Sequence, residues 1–125
     1  MQLIRKAVPD DAGVMHALGL LLVREKKLDE ALTWLKRATE RAPEIPRYAY
    51  VYGVALNTTG QRDKAIAQLE NAQKRHPYDR DLLYGLATLN RDAGRLGIAR
   101  RYARELAAAR PNDPEAQSLL RQLER

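Results

Sequence analysis

The sequence contains no cysteine, a single tryptophan and no long run of apolar residues. Without cysteine the chain forms no disulfide and offers no thiolate to a metal, and the redox compartment is left open. The longest apolar stretch, residues 17–23, is far shorter than the roughly 20 residues that cross a bilayer. The sequence therefore excludes a disulfide-stabilised domain and a membrane-spanning chain.

The composition that remains is that of a single globular domain. Hydrophobic residues make up 45% of the 125 residues and charged residues 30%, which excludes a disordered tail. Residues 1–6 lack the charged, apolar and small-residue zones of a secretory signal, and either the bacterial cytoplasm or the periplasm suits the chain. The net charge of +6 is spread along the sequence, which favours a solvated mixed-sign surface over a dedicated site for an acidic partner.

The strongest pattern is a repeat with a period of 34 residues. Three columns keep one kind of residue at this spacing. Small residues occupy two columns and proline the third: Gly19, Gly53 and Ala87; Ala31, Ala65 and Ala99; Pro43, Pro77 and Pro111. A fixed period over three copies predicts an array of similar supersecondary units.

Each unit is predicted to consist of two amphipathic helices of about 13 residues. In the first unit, apolar residues recur at three- and four-residue spacings on both sides of a short polar turn. They are Val14, Met15, Leu18, Leu21 and Leu22 before the turn, and Leu28, Ala31, Leu32, Leu35 and Ala38 after it. Pro43 ends the second helix, because proline cannot donate to the helix hydrogen-bond ladder.

The second unit contains an alternating stretch, Tyr48 to Tyr52, that is typical of a strand. Its place in the repeat favours a helix instead, since Gly53 and Leu56 follow in helical register. Gly60 then marks the end of that helix, where a left-handed backbone suits glycine. We therefore predict an all-α chain.

Both ends of the chain extend the array. Residues 2–8 precede Pro9, one period before Pro43, and we expect them to be the last turns of an earlier repeat in a longer bacterial parent protein. At the other end, Asp113 is expected to cap a helix that opens with Pro114. That last helix would cover the apolar face of the third unit.

The columns resemble the tetratricopeptide repeat, whose units of 34 residues place small residues and proline at these positions. The resemblance implies an all-α fold, a right-handed superhelical array of antiparallel helix pairs. It divides a single domain, 1–125, into the end of a preceding repeat, three repeats and a capping helix: 1–11, 12–45, 46–79, 80–113 and 114–125. Lys26 stands where Gly60 and Gly94 stop their helices, so we expect a looser first turn.

In this family the first helices of successive units line a concave groove, and the resemblance assigns the groove positions of this chain. From the first and second units it selects His16, Leu20, Val23, Arg24, Arg47, Tyr50, Val54, Asn57 and Thr58. From the third unit and the capping helix it selects Asp81, Tyr84, Thr88, Arg91, Asp92, Ser118 and Gln122. Aromatic faces, amides and guanidinium groups together suit a peptide. Tyr50 and Tyr84, one repeat apart, are expected to form a two-rung ladder.

Two other uses of such a groove are disfavoured. The clamp that chaperone-binding members apply to a C-terminal carboxylate is missing, because its places hold His16, Leu20, Val51, Asp81 and Gly85. Nucleic acid is disfavoured as a partner, since the arginines of the third unit spread around the second helix rather than interleaving with stacking aromatics.

The sequence predicts no catalytic residue, no metal site and no cofactor. The two histidines, His16 and His76, lie in different repeats without a nucleophile or a metal-ligand set nearby in sequence. No glycine-rich phosphate loop occurs either.

We therefore expect a non-catalytic interaction module that binds a protein or peptide segment in its concave groove. One alternative is a structural or assembly tail of a larger enzyme or electron-transfer protein, such as a multihaem cytochrome, although this chain carries no haem-attachment motif. A third reading, nucleic-acid binding, predicts a steep salt dependence of affinity.

Overall fold

A computed structural model describes residues 11–125. This part of the chain forms seven α-helices joined by short turns: α1 Ala12–Arg24, α2 Leu28–Arg41, α3 Pro46–Thr58, α4 Arg62–Arg75, α5 Arg80–Asp92, α6 Leu96–Ala109 and α7 Pro114–Leu123. The helix end expected at residues 2–8 lies outside the described residues. Within residues 11–125, no helix combines the length and the hydropathy that a membrane crossing needs.

The helices pack in consecutive pairs, and each pair packs against the next. α1 lies against α2, α3 against α4 and α5 against α6, while α2, α4 and α6 also contact the helix that follows each of them. The alternating stretch Tyr48 to Tyr52 lies within α3, as the repeat predicted. The all-α class and the array of helix pairs are thus confirmed.

Aspartate caps three of the four helices that open a unit. Asp11, Asp79 and Asp113 stand in one column of the repeat and precede α1, α5 and α7. Each carboxylate accepts from backbone N–H groups of the first turn, which otherwise lack a partner and cost about 1 kcal/mol when uncapped. The donors are Val14 at 3.0 Å, Leu82 at 3.1 Å, and Glu115 and Ala116 at 3.0 and 3.2 Å. The predicted cap at Asp113 is confirmed.

The core of each unit is built on a close approach of its two helices. A Cβ atom added at Gly53 would lie 2.7 Å from Leu69 Cδ2, and one added at Gly19 would lie 2.5 Å from the corresponding atom of Leu35. Both leucines are fully buried. In the third unit the same columns hold Ala87 and Ala103, which are also fully buried. In the first two units, a glycine on the first helix therefore faces a leucine on the second helix. In the third unit, two alanines occupy these positions.

The turn at Lys26 corrects the expectation of a looser first turn. Its φ is 63°, in the same left-handed region as Gly60 at 81° and Gly94 at 80°. The same backbone hydrogen bond closes all three turns: Lys27 to Leu22 at 2.9 Å, Gln61 to Leu56 at 2.9 Å and Arg95 to Asn90 at 2.8 Å. Because α1 must dock on α2 as closely as the other pairs do, lysine adopts a conformation that is costly for a residue with a Cβ.

Replacing Lys26 by glycine is expected to raise the free energy of unfolding by about 1 kcal/mol, because glycine adopts the left-handed region without the clash of a Cβ atom. Urea denaturation of the two proteins measures the difference. Gly60→Lys is the matched control, since it makes the reverse change in the equivalent turn and should lower stability by a similar amount. Loss of stability in Lys26→Gly would contradict the assignment of strain to this turn.

Candidate functional site

We use the term groove face for the first-helix positions predicted to line the concave groove, on α1, α3, α5 and α7. Most of these side chains reach solvent. The exposed ones are Leu20, Arg24, Arg47, Val54, Asn57, Thr58, Asp92 and Gln122; the half-buried ones are Val23, Tyr50, Asp81, Tyr84, Thr88, Arg91 and Ser118. His16 alone among the assigned positions is buried. That these residues bind a partner stays a prediction.

Two apolar side chains of the groove face remain in water. Leu20 is 38% exposed and Val54 is 44% exposed, and they occupy the same repeat position on α1 and α3. The third unit has Thr88 there, whose hydroxyl donates to the Tyr84 carbonyl at 3.0 Å and is thus engaged by its own helix. Covering Leu20 and Val54 would gain about 25 cal/mol for each Å² of apolar surface.

The positive charge of the groove face is available mainly in its first half. Arg24 and Arg47 are exposed, and neither makes an ion pair with any residue in the range 11–125. Arg91, by contrast, donates through Nε to Asp92 Oδ1 at 3.1 Å. Two uncommitted guanidinium groups therefore lie on the same helices as the exposed Leu20 and Val54.

The two tyrosines expected to form a ladder have different surroundings. Tyr50 packs against α5 where Gly85 leaves room, since a Cβ atom added there would lie 3.3 Å from Tyr50 Cε1. Burial raises the pKa of the Tyr50 phenol, and nearby Asp81 raises it further. Tyr84 instead carries the Arg80 guanidinium over its ring at 5.3 Å. Tyr50 therefore helps to join the second and third units, and only part of its ring faces solvent.

His16 is covered by the neighbouring unit. Its ring stacks on that of Tyr48 with 4.3 Å between centroids, and its Nδ1 has no hydrogen-bond partner among the residues that the structure describes. Burial lowers the pKa of His16, and the positive charge of Arg47 lowers it further. The neutral imidazole thus serves the packing of α1 on α3, a role that its column in the repeat did not reveal.

An ion cluster that sequence reasoning missed joins α5 to α7. Arg80 Nε donates to Asp113 Oδ2 at 2.7 Å, its Nη2 donates to Glu115, and its Nη1 donates to Asp81 at 3.3 Å. These bonds raise the pKa of Arg80 and lower that of Asp113. A single guanidinium serves three carboxylates here, so the cluster keeps an excess of negative charge and adds no free cation to the groove face.

The second histidine, His76, lies outside the groove face. His76 Nε2 donates to the Pro43 carbonyl at 3.0 Å and so ties two inter-repeat turns together. Between residues 11 and 125, no three His, Cys, Asp or Glu side chains come close enough together to hold a metal ion.

Comparison with known proteins links this geometry to one repeat family. Family models described as tetratricopeptide repeats match residues 57–123, 2–46 and 16–61. A TPR repeat-containing protein of Synechococcus elongatus is 37% identical over 111 residues. That match covers 82% of this chain but only 27% of the relative, so the chain spans about a quarter of the relative's length.

Solved structures share the fold at low sequence identity. The Sgt2 TPR domain of Aspergillus fumigatus superposes with a TM-score of 0.79 at 19% identity, covering 90% of this chain and 76% of that one. The first TPR of Spaghetti (RPAP3), solved bound to the HSP90 peptide SRMEEVD, gives 0.80 at 18% identity, with 90% of each chain covered. MamA of Desulfovibrio magneticus RS-1 gives 0.77 at 22% identity, covering 90% of this chain and 63% of MamA.

Proposed function

This chain belongs to the tetratricopeptide repeat family, and from that premise we propose that it is a non-catalytic interaction module whose groove face binds a segment of another protein. The observation that carries the proposal is the exposed pair Leu20 and Val54, which stand one repeat apart on neighbouring first helices. An apolar pair left in water at equivalent positions of two units marks a surface that a ligand would cover.

The groups around this pair suit a peptide rather than a small molecule. Arg24 and Arg47 are without ion-pair partners among residues 11–125 and would attract carboxylates on the ligand. Asn57 is exposed on α3, and its amide both donates to and accepts from a peptide backbone. Because these side chains stand on packed helices, little entropy is lost in ordering the site when a ligand binds.

We expect the ligand to be an internal segment and not a free C-terminus. A clamp for two terminal carboxylates requires cationic and amide side chains at places where this chain has buried His16 and Gly85. Gly85 is, moreover, in contact distance of Tyr50 and Leu69, so no larger side chain fits there without moving them. The Spaghetti domain, which was solved with an HSP90 peptide, is therefore a comparison for the fold of this chain and does not indicate its ligand.

The test is a selection of random twelve-residue peptides, displayed on phage, against the immobilised full chain. At least one class of the selected peptides should lose affinity by at least about tenfold for the double variant Leu20→Asp, Val54→Asp, because each change removes an apolar contact and adds a desolvation cost. Binding is measured by fluorescence anisotropy of the synthetic peptides.

The matched control is the double variant Leu96→Asp, Ile98→Asp. Leu96 and Ile98 are 46% and 39% exposed, so the control makes the same chemical change at exposed apolar residues outside the groove face. It should leave affinity unchanged. If every selected peptide lost affinity equally in both variants, or in neither, the groove face would be rejected as the site. Tyr50→Ala is not used, since it would also open the contact with Gly85.

A further inference from the structure

A cavity lies on the side of α3 opposite to the groove face. It has a volume of about 630 Å³ and is bounded by α2, α3, α4 and Pro43; we call it the second-helix cleft. On α3 it uses Ala49, Tyr52 and Leu56, and Tyr52 points roughly 200° away from Tyr50 around the helix axis. Its volume falls within the range of about 300–1,000 Å³ typical of ligand pockets.

The fold does not require this cleft to be open, because the next pair of repeats fills the equivalent space. One period after Ala49, Tyr52, Gln68 and Ala72, which line the cleft, the chain has Leu83, Leu86, Tyr102 and Leu106. These four large side chains are all at least nine-tenths buried. At three of the four positions the residue between the first and second repeats is the smaller one, namely Ala49, Gln68 and Ala72. These residues therefore leave a space that the same chain closes between the second and third repeats.

The floor and the rim of the cleft differ in chemistry. Ala49 and Leu56 form a buried apolar floor, with Ala72 and the half-buried ring of Tyr52 beside it. Burial raises the pKa of the Tyr52 phenol, and Glu40 raises it further, so this hydroxyl stays a neutral donor. The floor thus suits a ligand that has apolar side chains and a polar group able to accept a hydrogen bond from the Tyr52 hydroxyl.

The rim carries an excess of positive charge. Lys36, Lys64 and Arg75 stand there with one carboxylate, that of Glu40. None of the four makes an ion pair within the described residues. One period later, the positions of the three cations hold Glu70, Ile98 and Ala109. The excess of positive charge is therefore found at this cleft and not at the equivalent place between the second and third repeats.

We propose that the second-helix cleft is a second docking site, separate from the groove face, for an acidic protein segment that carries apolar side chains. Carboxylates of the segment would pair with Lys36, Lys64 and Arg75, while its apolar side chains cover Ala49, Leu56 and Ala72. The side-chain amides of Gln68 and Asn71, also in the lining, would bond the backbone of the segment. A single half-buried tyrosine provides no platform on which successive bases could stack, which favours protein over nucleic acid.

Two variants test the site, using the twelve-residue peptides selected on the full chain. Lys64→Glu, Arg75→Glu reverses exposed rim charges, and Gln68→Tyr, Ala72→Leu fills the cleft with the residues that the third repeat has at these positions. We expect a class of net-negative peptides with apolar residues that loses at least about tenfold in affinity for both variants and weakens as salt is raised. The same class should bind the groove variant Leu20→Asp, Val54→Asp with unchanged affinity, which separates this proposal from the groove proposal.

The control for charge is Lys74→Glu, Arg121→Glu, which makes the same change in net charge at exposed residues outside the cleft and should leave binding intact. If the filled variant does not fold, as judged by circular dichroism, the rim variant decides. The proposal is overturned if no selected peptide depends on the cleft, if the dependent peptides are neutral or basic, or if the charge control weakens them equally. It is also overturned if single-stranded oligonucleotides bind the cleft more tightly than the peptides do.

Discussion

Replacing Leu69 by alanine is expected to lower the free energy of unfolding by about 2–5 kcal/mol, the range found when a buried leucine is truncated. Leu69 is fully buried and reaches between two first helices. A Cβ atom added at Gly53 of α3 would lie 2.7 Å from its Cδ2, and one added at Gly85 of α5 would lie 3.0 Å from its Cδ1. Its loss would leave a cavity bounded by three helices.

Urea denaturation monitored by circular dichroism measures this loss. Leu96→Ala is the matched control, because it removes the same atoms from a residue that is 46% exposed and should change stability by less than about 0.5 kcal/mol. A comparable loss in both variants would show that the effect does not come from burial at Leu69.

The partner of this prediction is Gly53→Ala, which should cost roughly 1–3 kcal/mol by overpacking against Leu69. In the Leu69→Ala background the same change should cost nothing, since the alanine pair then matches Ala87 and Ala103 of the third unit. The double-mutant cycle is thus expected to show a coupling of about 0.5–3 kcal/mol. Strict additivity would mean that the two residues do not share the space assigned to them.

Replacing Ala65 by leucine is expected to lower the free energy of unfolding by roughly 1–3 kcal/mol. Ala65 is fully buried, and so are Ala31 and Ala99 in the same column. The small side chain at this column allows the second helix of each unit to lie close to the first. The additional isopropyl group has no space to occupy without moving α4 away from α3. Thermal denaturation followed by circular dichroism reports the change.

Ala67→Leu provides the control for this substitution. Ala67 is on the same helix, exposed and part of the lining of the open second-helix cleft, so the added atoms have free space and stability should shift by less than about 0.5 kcal/mol. An unchanged thermal midpoint for Ala65→Leu would contradict the packing of the second unit, and an equal loss in both variants would indicate an effect on helix propensity alone.

The groove face and the second-helix cleft use different faces of the same helix, α3. If both proposals hold, one segment can occupy Leu20 and Val54 while another occupies the cleft, without a direct clash between them. The α3 helix would then hold two partners at a fixed separation, so the chain would act as a scaffold. Binding of a groove peptide and a cleft peptide to the same chain, measured together, tests whether the two sites are independent.

The helices of this protein were predictable from the sequence because their signals are local. The end of α4 at Arg75 and the cap formed by Asp113 depend on residues within one or two turns, namely Pro77 and the N–H groups after Pro114. The repeat also marked the columns of small residues, and the structure buries their members Gly53 and Ala65. That Gly53 faces Leu69 came from the structure. Hydrogen bonding within a helix and hydrophobic periodicity both act between near neighbours in sequence.

Tertiary structure decided the features that depend on residues far apart in the chain. Lys26 takes a left-handed conformation because α1 docks on α2, against its own preference. His16 shares a column with Tyr50 and Tyr84, but the ring of Tyr48 covers it. The second-helix cleft exists because three helices each contribute small or polar residues to one space. The burial of a side chain depends on which residues of other helices pack over it. A column in the repeat specifies the position of a residue along its own helix, but it does not specify those neighbouring residues.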